Sequence, residues 1–407
     1  MKGGAARSVL LGSMLFLNFM MLPVWFVPLL PYVKALPGGG SWGLWFGLLM
    51  GFGTFTSPLF GMFADRFLNA EKVLAICDFA SAALLAAAFF VSSPAVLFVL
   101  LLLTMAFSMP TWSLTATIAL TQADPNVYPR LRIFGTLGWV ASGVFSLVAF
   151  GCFGFAGFDA SPWIFAGGAL TGVAAGVVSL LLPPTEPAAK GRPLSVIDAL
   201  GLRSLVLFKD RSFATFAVLL LGAMIPFQWY NVYAAAYLKD AGFQYLTLTM
   251  NLGQVGEIGF MLLVPVLMSR LGYKRCLLIA LAALVLRNLS FLFSSAGGPS
   301  AFNFVAILVH GLIFGILVVG SQMHVNAVAP KELRSQAQGF IILLTAGLGV
   351  FASNFLFDAI LARPTATGAT PWSLAYAVSL SVAAAVFVLV AVLFPGKKPQ
   401  PSERSGH

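Results

Sequence analysis

Apolar residues fall into twelve runs along the chain, near 8–33, 41–63, 72–92, 95–120, 131–155, 162–182, 212–238, 244–268, 275–294, 301–328, 336–362 and 372–394. A helix needs about 20 such residues to cross a hydrocarbon core of ~30 Å. The pattern therefore predicts an all-α membrane protein with twelve transmembrane helices. The first run follows a basic start, MKGGAARS, as a signal peptide would. It continues to about Val33 with no small-residue cleavage site, so it reads as a retained span.

The longest polar interruption is 183–211. Its first part, PPTEPAAKGRP, has the Pro and charge content of a linker. Its second part, LSVIDALGLRSLVLFKDR, suits a short cytoplasmic helix lying on the membrane surface. Extension of the seventh span is the alternative. The expected organisation is a six-helix half at 1–182, the linker at 183–211, a second six-helix half at 212–394 and a cytoplasmic tail at 395–407.

Composition fits this division. Of 407 residues, 59% are hydrophobic and only 9% charged, against about 25% charged in soluble proteins. So little charge cannot cover a soluble surface, which excludes a soluble enzyme, a nucleic-acid binder and a disordered chain. Lipid is the main solvent. The net charge of +10 reports loop orientation: eighteen of the 23 Lys and Arg residues lie on the side shared by the termini, while Lys34, Lys239 and Arg363 lie opposite. That asymmetry predicts cytoplasmic termini. Cys77, Cys152 and Cys276 are far apart, with no CxxC or Cys/His cluster, so no disulfide framework, metal site or cofactor is expected.

The two halves carry faint internal similarity. GMFADRF at 61–67 follows the second run and SRLGYKR at 269–275 the eighth, while Arg132 opens the fifth run and Arg334 precedes the eleventh. Paired halves around a midplane cavity are the arrangement expected of secondary transporters.

Polar residues inside the spans carry the chemistry, because an ionisable group in hydrocarbon needs a partner or a cavity. Glu257 sits mid-span in NLGQVGEIGFMLLVPV, with Gln254 one turn earlier on the same face. Burial disfavours a carboxylate, so such a group can exchange protons near neutral pH. Gln228 and Asn231 share a face in PFQWYNVYAAAYL, beside Trp229, Tyr230 and Tyr233. Paired amides among rings suit a flat ligand with polar edges; interhelical hydrogen bonding is the plainer reading.

Arg132, Thr136 and Trp139 share one side of RIFGTLGWVASGVF, although Arg132 equally fits a cytoplasmic anchor. Arg287 in LVLRNLSF needs a carboxylate or carbonyl and reads as structural. His310 can titrate near neutral pH or simply hydrogen-bond, and His324 reads as structural. Asp78 is a weaker candidate for charge pairing, near enough to the cytoplasmic side to be partly hydrated. In GMFADRF, Asp65 can accept from a neighbouring helix N-terminus, which makes Asp65 and Arg66 candidates for gating.

GMFADRF resembles the characteristic loop of the major facilitator superfamily, although its continuation LNAEK departs from the usual basic ending. More specifically, the chain resembles the bacterial nucleoside:proton symporter family. The resemblance rests on GMFADRFLNAEKVLAIC, LRIFGTLGWV, LFKDRSFA, GQVGEIGF followed by SRLGYKRCLLIALAALVLRNLSF, and LRSQAQGF, in family order across nearly the whole chain. It implies the major facilitator fold and a nucleoside site at Arg132, Thr136, Trp139, Gln228, Asn231, Gln254 and Glu257. On the tenth helix, where the family has a Tyr, an aromatic and an Asp, this chain has His310, Phe314 and Gly315. Glu257 is then left as the expected proton-coupling carboxylate.

The expectation is a monomeric symporter of the bacterial inner membrane, taking nucleoside and protons as partners and working by alternating access. It does no chemistry on its cargo and binds no nucleic acid. A sugar or other small-solute symporter and an uncoupled nucleoside facilitator are the alternatives. A drug exporter is disfavoured because GTLGWVASGVFSL lacks the exporter proline. A receptor would bring a soluble domain beyond FPGKKPQPSERSGH, and an intramembrane enzyme a nucleophile–base or metal constellation.

Overall fold

A computed structural model describes residues 2–155, 157–191, 202–243, 246–363 and 370–395. Every regular element among them is helical, as hydrocarbon demands of a spanning chain: the helix satisfies its own backbone hydrogen bonds. Nine of these helices are long and apolar enough to cross a membrane. One of them, Leu252–Ser295, covers both the eighth and ninth runs. The chain turns between those runs at Gly272, whose φ of 73° lies in the left-handed region. A residue with a Cβ is strained there.

The third run is the helix Ala70–Ala88. The second is broken into short pieces, Gly39–Trp42, Gly43–Gly47, Leu49–Gly53, Thr54–Thr56 and Ser57–Arg66. Two later stretches, Gly315–Gly320 and Leu343–Leu348, are wound as π-helix. Such wide turns are rare and often occur at functional sites.

The structure divides into two compact units. The first comprises Met1–Leu207 with Val325–Phe351. In it, Lys2–Phe26 packs on Tyr128–Ala141 and Trp163–Leu181, and Ala70–Ala88 packs against Pro94–Gln122. Trp25, Phe165, Leu101 and Met105 are buried in its core. A Cβ on Gly138 would strike the carbonyl of Phe16, so this glycine lets two helices meet backbone to backbone. The 183–189 segment is tied down: Gln122 Nε2 donates to the Pro183 carbonyl at 2.7 Å, Glu71 accepts from the Thr185 amide at 2.8 Å, and the Ala189 amide donates to the Asp65 carbonyl at 2.8 Å. Of the expected surface helix, residues 192–201 lie outside the described residues, and Arg203–Lys209 forms a 3₁₀ turn.

The second unit comprises Phe208–His324 with Ala352–His407. Leu246–Ser295 packs against Trp372–Leu393, Ala301–Leu308 and His310–Phe314. Trp229, Tyr237, Phe291, Phe357 and Tyr376 form an aromatic core. Trp229 therefore belongs to that core, stacked on Phe357 at 4.1 Å, rather than to a ring of aromatics around the amides.

Candidate functional site

In the first unit the fifth-run residues meet an aromatic series. Arg132 and Thr136 are buried on Tyr128–Ala141, and Trp139 is half-buried. The Arg132 guanidinium lies 3.7 Å from the centroid of the Phe19 ring. Phe19 stacks on Trp112 at 5.1 Å, and Trp112 meets Trp139 edge-on at 6.5 Å. A cation over a ring face is held by the ring quadrupole, which helps to position Arg132. Gly135 makes the room, since a Cβ there would overlap the guanidinium. Phe19 and Trp112 escape sequence reasoning because an aromatic in an apolar run carries no polar signal.

In the second unit, Gln228 is buried on Arg211–Asp240 and Asn231 is exposed one turn later. The Asn231 amide donates to Oε1 of Gln228 at 3.0 Å. Tyr233, two residues on, donates instead to Asp358. Gln254 is half-buried and Glu257 is 3% exposed.

The Glu257 carboxylate faces His310, with Oε2 3.9 Å from Nε2. On its other side, Nδ1 of His310 is 3.2 Å from Nη2 of Arg287. Arg287 thus finds an imidazole, where the sequence suggested a carboxylate or a carbonyl. The half-buried Phe314 lies 6.1 Å from the His310 ring. Gly311 lets the helices touch, because a Cβ there would overlap the backbone of Glu257.

Asp65 lies at the end of Ser57–Arg66, beyond the second apolar run. Its carboxylate accepts from the amides of Ser335 at 3.2 Å and Gln336 at 2.9 Å. Those amides open the helix Arg334–Ile342, where orphan donors and the helix dipole favour an anion. Burial pushes the Asp65 carboxyl up to about 7, against the opposing pull of the two amide bonds. Arg66 is buried beside it. Asp78 is fully buried, not partly hydrated, and accepts from the Ser179 hydroxyl at 2.8 Å. His324 stacks on Tyr273 at 4.2 Å. Among the described residues no group of three or more His, Cys, Asp or Glu is placed to hold a metal.

Long apolar helices enclosing a few buried polar clusters define a membrane-spanning protein, and solved structures give its fold. The fold matches the crystal structure of the nucleoside transporter NupG with a TM-score of 0.66, at 25% identity over 96% of this chain and 100% of that one. It also matches the proton:xylose symporter XylE of the major facilitator superfamily, with a TM-score of 0.70 at 12% identity over 95% of this chain and 94% of that one. The fold is that of the major facilitator superfamily.

Residues 6–399 match the family model described as nucleoside H+ symporter, and the chain belongs to that family. It is 34% identical to YegT of Escherichia coli (strain K12) over 348 residues, covering 83% of this chain and 81% of that protein. It is 29% identical to the nucleoside permease NupG of the same organism over 381 residues, covering 88% of each.

Proposed function

We propose that this protein carries nucleosides together with protons into the cytoplasm by alternating access. It works as a monomer of twelve spans in the bacterial inner membrane, with both termini cytoplasmic. Arg132, Thr136, Trp139, Gln228, Asn231, Gln254 and Phe314 contact the nucleoside. Paired amides suit the polar edges of a base, and aromatic rings suit its faces. Glu257 carries the proton. His310 lies against Glu257, and Asp65 with Arg66 serves gating.

The observation that carries the reading is Glu257 itself. It is a buried carboxylate one turn from Gln254, in a segment where ionisable groups are costly unless they work. The position where the family carries a tenth-helix Asp is Gly315 here, which keeps an uncoupled nucleoside facilitator as the second reading.

Uptake of labelled uridine and adenosine into proteoliposomes under an imposed proton gradient is the test. Wild type should concentrate nucleoside, and Glu257→Gln, which keeps the shape of the protonated acid, should bind and exchange it without concentrating it. Concentration by the glutamine variant would remove Glu257 from coupling. A wild type blind to the gradient would establish the facilitator. Uptake of sugars but not nucleosides would overturn the assigned cargo.

A further inference from the structure

Arg287 is fully buried. A guanidinium stays charged in proteins and has only donors to offer. In its contact with His310 at 3.2 Å, Arg287 Nη2 must therefore donate and Nδ1 must accept. An imidazole with its Nδ1 lone pair so engaged keeps its hydrogen on Nε2. That nitrogen faces the Glu257 carboxylate, at 3.9 Å, within electrostatic reach and just beyond a direct hydrogen bond.

The surroundings hold this arrangement. Phe227 stacks along the imidazole at 5.9 Å with an interplanar angle of 13°, and Tyr230 lies 5.0 Å away. The Tyr230 ring also receives the Arg287 guanidinium, 4.3 Å from its centroid. Gly253 allows close approach to the Cβ of His310, and Gly311 does so to the backbone of Glu257. Among the described residues, the other titratable groups packed around the cluster are the phenols of Tyr230 and Tyr376, an acid class that ordinarily ionises near 10.

We propose that His310 is a positioning residue, locked by Arg287 as the Nε2–H imidazole and presenting that N–H to Glu257. The transported proton then resides on Glu257 and never on the histidine. A second proton on His310 would have to displace Arg287 from Nδ1 and set two cations in contact. The inference rests on the proposed role of Glu257.

Full-length protein labelled with ¹⁵N-histidine in lipid nanodiscs gives a direct readout, with His310→Gln assigning the His310 signals. From about pH 5 to 8, where free histidine titrates, His310 should keep one protonated and one bare nitrogen. Joint protonation of both nitrogens in that window would overturn the proposal.

Proteoliposomes supply the functional arm. Glutamine at 310 can accept from Arg287 through Oε1 and donate to Glu257 through Nε2, so His310→Gln should still concentrate nucleoside. His310→Leu should lose accumulation by about tenfold or more, as expected when a bond to a buried charge is removed. An uncoupled His310→Gln would make the histidine the carrier and refute the inference. Failure of wild type to respond to the gradient, or persistence of coupling in Glu257→Gln, would instead refute the role of Glu257. In that event the nitrogen spectrum still decides the tautomer.

Discussion

The Asn231 side-chain amide donates to Oε1 of Gln228 at 3.0 Å, so the two residues act as one preformed polar unit. Each removal leaves the other without this partner. Gln228→Ala or Asn231→Ala should weaken nucleoside binding roughly ten- to a hundredfold, matching about 1–3 kcal/mol for an unsatisfied polar group. The double variant should lose less than the sum, because groups that bond each other are coupled. Calorimetric titration of all four proteins checks this, and strict additivity would show that the two amides work independently.

Arg132 rests on Phe19, which in turn stacks on Trp112. Arg132→Ala should abolish uptake while the protein still inserts and elutes as a single species, since eighteen other basic residues lie on the expected cytoplasmic side. Arg132→Lys keeps the charge but loses the planar group that lies along a ring, and should fall between the two. Uptake beside size-exclusion profiles measures both. Full activity of the alanine variant would return Arg132 to the role of a topological anchor.

Asp65 couples a pH dependence to the helix it caps. Its carboxyl titrates at about 7 in the fold and near 3.9 when unfolded. Between those values the folded chain binds more protons than the unfolded one. Its contribution to stability is therefore complete below about pH 4 and is lost as pH rises through about 7. Asp65→Asn should remove this slope, measured as the difference in melting temperature between acidic and alkaline buffers. An unchanged slope would assign it to another group. Asp65→Ala should also destabilise by about 1 kcal/mol through the lost cap.

Gly311 is a packing position. A methyl group there would overlap the backbone nitrogen of Glu257, and overpacking typically costs ~1–3 kcal/mol. Gly311→Ala should lower the melting temperature and impair proton-driven accumulation together. A variant as stable and as active as wild type would mean that the two helices separate freely.

Hydropathy located the runs because it reports the solvent each segment meets, and the basic loops rank its two sides. It is silent about partners. Arg287 stood out as a charge needing company, yet its neighbour His310 lies 23 residues away and offers no signal of pairing. The 183–189 stretch has the composition of a linker, but its bonds go to Asp65, Glu71 and Gln122 on distant segments. The second run is apolar enough to read as one span, and its breaks at Gly39–Trp42 and Thr54–Thr56 depend on local backbone geometry that hydropathy does not record.

The π-wound stretches Gly315–Gly320 and Leu343–Leu348 set a rule for how this chain can change length. A wide turn holds an extra residue, so deleting one residue there can leave an unbroken α-helix. Because the wide turn already absorbs the extra residue, such a deletion keeps the two sides close to their present facing, whereas a deletion from a regular stretch would rotate one side by about 100°, the angle between successive residues. For Gly315–Gly320 one of the two sides bears His310 and Phe314. A one-residue gap at this point between two otherwise alignable proteins would thus leave the flanking side chains facing as they do here.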